Sequence, residues 1–301
     1  MSRPTLYLLP MNGLCNRMQA MAAARALAEA ADARLVVLWH VEAGLGCPIE
    51  ELYERDERVE ILTIAPQRSL FGKLLFLLWG SVETVNGVPV GWINRTFSRG
   101  FFGKAIRENL AYEDVEDGAL LEQLTASRRV LITSWRPFFD KANLDYSCFR
   151  PLAAEQAEID RFSADFDADT VGVHIRRTDN ANAIRYSSTE AFIAAMDNCL
   201  AEKPSTRFFL ASDCAETVDA LQSRFGNQII TRKPNLARDS LSGMKDAVID
   251  LFLLARTSRI LGSYFSTFSE TAAGIGKIPW ATVTYDQSLV GRIDAEDLVA
   301  K

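Results

Sequence analysis

The segment from Val171 to Asp179, VGVHIRRTD, carries the residues whose types and spacing are best suited to chemistry. Its first half is an alternating β-branched run, typical of a strand, and it leads into His174, Arg176 and Arg177. Adjacent guanidinium groups repel each other, and each presents a rigid fork of donors that fits phosphate oxygens. Because ligands of open α/β sheets bind beyond the carboxyl ends of the strands, this segment predicts a diphosphate site.

Other polar residues of the second half also lie where predicted strands end. Asp213 closes the run RFFLASD, and it either caps the following helix or faces the same crevice as the arginines. Ser266, Thr267 and Ser269 lie at a predicted helix start, where hydroxyls and backbone N–H groups either bind an anion or cap the helix. All of these residues belong to one half of the chain, so together they indicate one anion site.

Asp250 lies in an otherwise apolar segment, AVIDLFLL, with the spacing of a buried helix. A buried carboxylate is costly unless hydrogen-bond donors surround it. Two interpretations stay open. Asp250 forms an internal salt bridge, with Arg177 or Lys245, or it accepts the two adjacent N–H groups of a guanine edge.

The N-terminal loop that contains Gly13, Asn16 and Arg17 lies between the first predicted strand and the first predicted helix. It occupies the place of a dinucleotide-binding glycine loop but lacks the GxGxxG pattern. It is either a turn that reverses the chain or a source of donors to phosphate or acceptor. Asn16 with Gln19 resembles a capping box, which predicts that the helix starts there.

Strands and helices alternate in both halves, which predicts an α/β protein with two parallel sheets. We expect an N-terminal Rossmann-like domain at 1–165, with an irregular subdomain at about 45–125, and a C-terminal donor domain at 166–301. The two domains are expected to face a central cleft. The predicted strands are Thr5–Leu9, Arg34–Trp39, Arg129–Ser134, Thr170–Arg176, Arg207–Ala211, Gln228–Thr231, Arg259–Gly262 and Trp280–Thr284. The predicted helices are Asn16–Ala31, Pro151–Phe166, Thr189–Ala201, Ala215–Phe225, Leu241–Thr257 and Thr267–Ile275.

The composition excludes several classes of protein. The 301 residues carry a net charge of −6, which argues against attraction to nucleic acid or to an anionic membrane. Five cysteines without a CxxC pair predict free thiols in a reducing compartment, so a cytoplasmic location is expected. The apolar run Leu70–Trp79 is too short to span a membrane. It is interpreted as a core helix, with peripheral membrane contact as the alternative.

Common metal and hydrolase sites are also excluded. The chain has two histidines, His40 and His174, too few for a histidine-rich metal site. The segment DFDAD at 165–169 resembles a metal-binding DxD, but it precedes a strand at the end opposite the crevice and is interpreted as a solvated turn. Neither a GxSxG elbow nor a GxxxxGK[ST] loop occurs.

The segment HIRRTD at 174–179 resembles the HxRRxD motif of inverting fucosyltransferases. Downstream, LASD at 210–213, VIDL at 248–251 and YFSTFS at 264–269 follow in the order of one branch of that superfamily. This branch holds bacterial nodulation fucosyltransferases and the alpha-1,6-fucosyltransferases of N-glycan cores. GLCN at 13–16 resembles the glycine-asparagine loop of the wider superfamily. The resemblance is specific over about 170–275.

The resemblance implies a GT-B fold, GDP-fucose as the donor and no metal ion. It implies that Arg176 contacts the donor β-phosphate and that His174, Asp213 and Asp250 recognise the nucleotide. The family's lysine and catalytic glutamate after RRTD are replaced by Asn180 and Ile184. The nearest carboxylates are therefore those of Asp179 and Glu190.

We therefore expect a bacterial-type, inverting, metal-independent glycosyltransferase with Arg176, Arg177 and Asp179 as its catalytic residues. Its acceptor is expected to be a glycan or a lipid-linked glycan, and aromatic residues of 79–102 are candidates to line the acceptor site. Two alternatives stay open: a transferase that uses another nucleotide sugar, and a non-catalytic nucleotide or sugar binder that has lost its base.

Overall fold

The structure is a computed structural model that describes residues 3–41, 45–64, 106–107, 115–127, 129–178, 181–237 and 239–284. The chain divides into two compact units. The first comprises the chain up to Leu152 together with Ala237–Lys245. The second comprises Ala153–Leu236 together with the chain from Asp246 onwards.

The first unit contains a sheet in which every strand pair is parallel, in the order β3-β2-β1-β5-β4. Its strands are β1 (Thr5–Pro10), β2 (Arg34–His40), β3 (Val59–Ile64), β4 (Ile106–Arg107) and β5 (Arg129–Ser134). Its helices include α1 (Leu14–Ala30) and α2 (Asp117–Ala126). Alanine is the most frequent residue of α1, and alanine strongly favours a helix. Its small side chain also lets α1 lie close against β1 and β2.

The second unit contains another fully parallel sheet, in the order β10-β9-β6-β7-β8. Its strands are β6 (Thr170–Ile175), β7 (Arg207–Ser212), β8 (Ile229–Thr231), β9 (Ile260–Ser263) and β10 (Trp280–Val283). Its helices are α3 (Ala153–Phe162), α4 (Ala181–Tyr186), α5 (Thr189–Glu202), α6 (Ala215–Phe225), α7 (Leu241–Leu254), part of which belongs to the first unit, and α8 (Thr267–Gly276).

The strand order of the second sheet reverses at β6. The chain moves outward through β7 and β8 and then returns to the other side of β6 with β9 and β10. All six residues of β6 are buried. On one face, Val173 packs with Phe192 of α5 and Phe208 of β7. A reversal of this kind opens a crevice at the carboxyl end of the central strand, and the arginine pair follows that end.

The two parallel sheets predicted from the sequence are confirmed, and every predicted strand is found with ends that differ by at most one residue. Strands β3 and β4 and helices α2 and α4 were not predicted. The six residues of α4 are too few to show helical periodicity. The predicted capping box is wrong, since α1 starts at Leu14 with Gly13 as its N-cap, and Asn16 lies inside the helix.

The apolar run Leu70–Trp79 and the aromatic residues of 79–102 lie outside the described residues. Among the helices that the structure does describe, none is long and apolar enough to cross a membrane.

Candidate functional site

Asp213, just beyond the end of β7, holds the loop that follows β6. We call residues 176–178 of this loop the arginine loop. The backbone N–H of Arg177 donates to Asp213 Oδ1 at 2.6 Å. The backbone N–H and the hydroxyl of Thr178 donate to Asp213 Oδ2 at 3.3 Å and 2.7 Å. Helix α6 has Cys214 as its N-cap, with no side-chain cap hydrogen bond, so Asp213 does not cap that helix. A carboxylate that accepts several N–H and O–H groups fixes the backbone of the arginine loop.

Ser263, the last residue of β9, holds the same loop from the other side. Its hydroxyl oxygen accepts a hydrogen bond from the backbone N–H of Arg176 at 3.0 Å, and Ser263 is fully buried. The end of β6 is therefore fixed from both neighbouring strands. The sequence prediction missed Ser263, although its place at the end of a strand next to β6 was a usable signal.

The guanidinium group of Arg177 makes hydrogen bonds to neutral oxygens. It donates to the carbonyl of Arg176 at 3.0 Å and to the hydroxyl of Thr189 at 3.3 Å, and it lies 6.0 Å from the ring centre of Phe192. Desolvation lowers the pKa of this half-buried group. Within the described part of the chain, no carboxylate is in salt-bridge contact with Arg177. An anionic ligand at this position would therefore stabilise the positively charged form of Arg177.

His174 lies next to the hydroxyl groups of two other residues that were predicted to bind the donor. Its Nδ1 is 2.9 Å from Ser269 Oγ and 3.5 Å from Ser266 Oγ. Its ring stacks on Phe268 with 4.7 Å between the ring centres. Ser266 is the N-cap of α8 and Thr267 is its first residue. The fold thus brings His174 together with the hydroxyl-rich start of α8.

Gly262 on β9 makes this approach geometrically feasible. A Cβ atom at Gly262 would lie 2.4 Å from Ser269 Oγ and 2.6 Å from Ser269 Cβ. These distances are far below van der Waals contact, so any larger residue would push α8 away from the strand. Glycine at this position is therefore required for α8 to place Ser269 beside His174.

Asp250 forms the internal salt bridge that was one of its two interpretations, but its partner is Arg232 rather than Arg177 or Lys245. Asp250 Oδ1 accepts from Arg232 Nη1 at 2.8 Å. Burial raises the pKa of Asp250 to about 6, even though Arg232 acts in the opposite direction. Sequence alone missed Arg232, which follows β8 directly.

Asn16 and Arg17, which lie in the first turn of α1, tie together the chain at the carboxyl ends of three strands of the first sheet. Arg17 is fully buried and donates to the carbonyls of Asn12 at 2.7 Å and His40 at 2.6 Å. The side-chain amide of Asn16 donates to the carbonyl of Trp135 at 3.0 Å. These contacts fit the interpretation of this segment as a structural turn, and the burial of Arg17 removes its guanidinium from solvent. Gly13 is the N-cap of α1.

The two candidate bases differ in what the structure describes. Asp179 lies outside the described residues. Glu190 is fully exposed in the first turn of α5, where its own backbone N–H and then the hydroxyl of Ser188 lower the pKa of its carboxyl. A lowered pKa makes Glu190 a weaker general base.

The acidic segment at 165–169 forms a turn. Asp167 accepts hydrogen bonds from Thr170 and Arg207, and Asp169 is bonded to Lys203 and Ser205. Over the described ranges, no group of three or more histidine, cysteine, aspartate or glutamate side chains could hold a metal ion.

The sequence matches no family model and none of the curated proteins. Solved structures do match. A mutant of Arabidopsis thaliana FUT1 in complex with GDP has a TM-score of 0.60 at 15% identity, covering 93% of this chain and 70% of that chain. Fucosyltransferase NodZ from Bradyrhizobium has a TM-score of 0.59 at 17% identity, covering 95% and 96%. POFUT1 in its apo form has a TM-score of 0.56 at 13% identity, covering 94% and 99%.

The chain has the fold of these fucosyltransferases. This likeness confirms the predicted α/β fold class with two parallel sheets, as in GT-B proteins. Another of the matching structures is NodZ alpha-1,6-fucosyltransferase soaked with GDP-fucose, with a TM-score of 0.57 at 17% identity.

Proposed function

We propose that the protein is an inverting, metal-independent glycosyltransferase that transfers fucose from GDP-fucose to a glycan hydroxyl. The arginine loop after β6 carries this proposal. It lies at the reversal point of the second sheet and is held by Asp213 on one side and by Ser263 on the other. The fold is shared with fucosyltransferases solved with GDP and with GDP-fucose, which supports the same ligand here.

In this proposal the second half of the chain, 166–301, holds the donor, and 1–165 provides the acceptor side. Arg176 and Arg177 bind the diphosphate. His174 and the start of α8, with Ser266, Thr267 and Ser269, complete the donor site. The start of α8 contributes backbone N–H groups and the positive end of the helix dipole, both of which favour an anion.

In the proposed reaction, an acceptor hydroxyl attacks the anomeric carbon of fucose from the face opposite the diphosphate. The bond from that carbon to the β-phosphate oxygen breaks, and negative charge grows on the departing phosphate. Two fixed guanidinium groups stabilise this charge in place of a divalent ion, and each such preorganised donor contributes about 3 kcal/mol. Asp179 is proposed to take the proton of the attacking hydroxyl.

The carboxylate of Asp250 is proposed to recognise the guanine base by accepting hydrogen bonds from the N–H groups of guanine. The proposed acceptor is a glycan or a lipid-linked glycan that the enzyme meets in the cytoplasm. Nothing in the net charge of −6 favours a nucleic-acid partner.

The test is to incubate the purified protein with GDP-fucose, alone and with a panel of glycan acceptors, and to measure release of GDP and formation of fucosylated product. Without an acceptor, we expect slow hydrolysis of GDP-fucose. With a suitable glycan acceptor, we expect a fucosylated product whose anomeric configuration is inverted relative to the donor. Tight binding of GDP with neither reaction would favour the non-catalytic alternative. A preference for UDP over GDP in a thermal-shift assay would favour another nucleotide sugar.

A further inference from the structure

The side chain of Arg232, which directly follows β8, contacts three carboxylates. We call this partly buried group the Arg232 cluster: Arg232, Glu158, Asp246 and Asp250. Arg232 Nη1 donates to Asp250 Oδ1 at 2.8 Å. Arg232 Nη2 donates to Asp246 Oδ1 at 2.8 Å and to Glu158 Oε1 at 2.7 Å. The Arg232 side chain is only 8% exposed. One guanidinium group thus joins the segment after β8 to α7 and to α3.

The backbone around Arg232 is held as well as its side chain. The hydroxyl of Thr231 donates to the carbonyl of Leu210 on β7 at 3.0 Å. The backbone N–H of Asn235 donates to Asp246 Oδ2 at 2.7 Å. The segment that leaves β8 is therefore fixed both to the sheet and to α7, which gives Arg232 a defined position.

The two oxygens of Asp250 have different surroundings. Oδ1 is occupied by Arg232, whereas Oδ2 accepts no hydrogen bond from any residue in the described part of the chain. The Asp250 side chain keeps 12% of its surface exposed, so a ligand can reach it. Oδ2 is not one of the fully buried polar atoms without a hydrogen-bond partner. A buried carboxylate with one held oxygen and one open oxygen is prepared to accept donors from a ligand.

The position of Asp250 fits the far end of an extended ligand. Arg232 follows β8, and β8 lies two strands from β6 in the sheet, which corresponds to about 10 Å. The arginine loop after β6 attracts anions, whereas the Arg232 cluster sets three carboxylates against one guanidinium group and repels them. A ligand with phosphates at one end and N–H donors at the other matches both.

We infer that Arg232 is a positioning residue for recognition of the nucleotide base: it holds one oxygen of Asp250 and leaves the other to accept the N–H donors of guanine. This inference rests on the proposed function, because it takes GDP as the ligand. It assigns base recognition to a salt-bridge network rather than to Asp250 alone.

The charges around Asp250 make base recognition depend on pH. Three groups face Asp250: Arg232 after β8, Asp246 on α7 and Glu158 on α3. Burial raises the pKa of Asp250 to about 6, Arg232 lowers it, and the two other carboxylates raise it. Only the ionised carboxylate accepts both N–H groups, so GDP should bind about tenfold more weakly at pH 5 than at pH 7.5.

The experiment measures GDP dissociation constants between pH 5 and pH 8.5 for the wild-type protein, Arg232→Met and Arg232→Lys. Without the guanidinium the Asp250 pKa rises, and a rise of one unit weakens GDP binding at pH 6 about fivefold. The midpoint of the pH profile should move upward in Arg232→Met. It should move less in Arg232→Lys, which keeps the charge but loses the fork.

A variant with the opposite expected effect covers the case in which Arg232→Met does not fold. Asp246→Asn removes a negative charge beside Asp250, so the midpoint should move downward and GDP binding at pH 6 should strengthen up to about twofold. Asp197→Asn is the matched control, because it removes an aspartate paired with Arg224 elsewhere in the same unit. Titration of the phosphate, with its pKa of about 6, is common to all variants and cancels in the comparison.

Opposite shifts of the midpoint in Arg232→Met and Asp246→Asn, with none in Asp197→Asn, would support the inference. If Arg232→Met does not fold, an upward shift in Arg232→Lys together with the downward shift in Asp246→Asn supports it. GDP binding with the same midpoint in every folded variant would overturn the inference and leave the proposed function standing. Failure of GDP to bind the wild-type protein at any pH would overturn both.

Discussion

His174 Nδ1 lies 2.9 Å from the hydroxyl oxygen of Ser269, which joins the central strand β6 to the first turn of α8. The same strand continues into Arg176, whose backbone N–H donates to Ser263 at the end of β9. The hydroxyl group of Ser269, on the helix after β9, thus fixes the position of His174. The hydroxyl group of Ser263, at the end of β9, fixes the start of the arginine loop. If these residues bind the donor as proposed, the site needs little rearrangement when the anionic donor arrives.

Replacement of Arg176 tests the proposed role of the arginine loop. We expect Arg176→Ala to lower kcat for GDP-fucose turnover about 100-fold or more, because the departing phosphate loses a fixed positive charge. The melting temperature should stay close to that of the wild type, since the anchoring contact of Arg176 to Ser263 is made by the backbone. A near-normal turnover in a folded variant would remove Arg176 from the mechanism.

Gly262→Ala tests the close approach of α8 to β9. The added Cβ atom would lie 2.4 Å from Ser269 Oγ, so we expect a loss of about 1–3 kcal/mol in the free energy of unfolding and weaker GDP binding. Gly118→Ala in α2 is the control. A Cβ atom there has nothing within 4 Å, so we expect a gain of about 0.5–1 kcal/mol. Denaturant titration measures both, and equal effects of the two changes would contradict the steric argument.

Asp213→Asn tests whether the carboxylate that follows β7 holds the arginine loop. The amide supplies one neutral acceptor where the carboxylate supplies two charged ones, and each hydrogen bond to a charged group contributes about 1.5–3 kcal/mol. We expect faster amide hydrogen exchange at Arg177 and Thr178, together with weaker GDP binding. Asp219→Asn, on the exposed surface of α6, should change neither quantity. Unaltered exchange in Asp213→Asn would show that the loop is fixed by other contacts.

Removal of divalent ions tests the metal-free part of the proposal. In the proposed site, two guanidinium groups supply the leaving phosphate with the positive charge that a bound ion would otherwise provide. Turnover of GDP-fucose should therefore persist in excess EDTA at a rate close to that with magnesium. Loss of activity on chelation, with recovery on adding the metal back, would refute metal independence.

Asp145→Asn tests the salt bridge of the buried Arg25 in the first unit. Desolvation raises the pKa of Asp145, but hydrogen bonds from Arg25 and Ser147 together lower it from 3.8 to about 2. Because the pKa of Asp145 is lower in the folded protein than in the unfolded chain, its carboxylate stabilises the fold at pH values above 3.8. This stabilisation is lost as the pH falls towards 2. We expect Asp145→Asn to cost about 1 kcal/mol at pH 7, since the carboxylate is half exposed.

The stability difference between wild type and Asp145→Asn should shrink between about pH 4 and pH 2, as followed by chemical denaturation at each pH. Asp32→Asn is the matched control, because Asp32 also pairs with an arginine but is 90% exposed. It should change the free energy of unfolding by much less. A difference for Asp145→Asn that does not vary with pH would contradict the assignment.

Local pattern was enough to predict most of the fold. The run from Val171 to Ile175 is mostly apolar and contains three β-branched residues because β6 is covered on both faces, so its strand character is visible in the sequence. The alanines of α1 likewise predict a helix. Helix α4 was missed because six residues show no periodicity. The capping-box prediction failed because the side chain of Asn16 reaches Trp135 instead of the helix end.

The sequence by itself determined the strand-end positions of Arg176, Arg177 and Asp213, because parallel strands must deliver their carboxyl ends to one edge of a sheet. Tertiary structure alone decided the partners of these residues. Contacts such as Arg232 with Asp250, 18 residues apart, or Ser263 with Arg176, 87 residues apart, depend on the order of strands in the sheet. No local pattern carries that order, since pairing across the sheet is set by the packing of the whole unit.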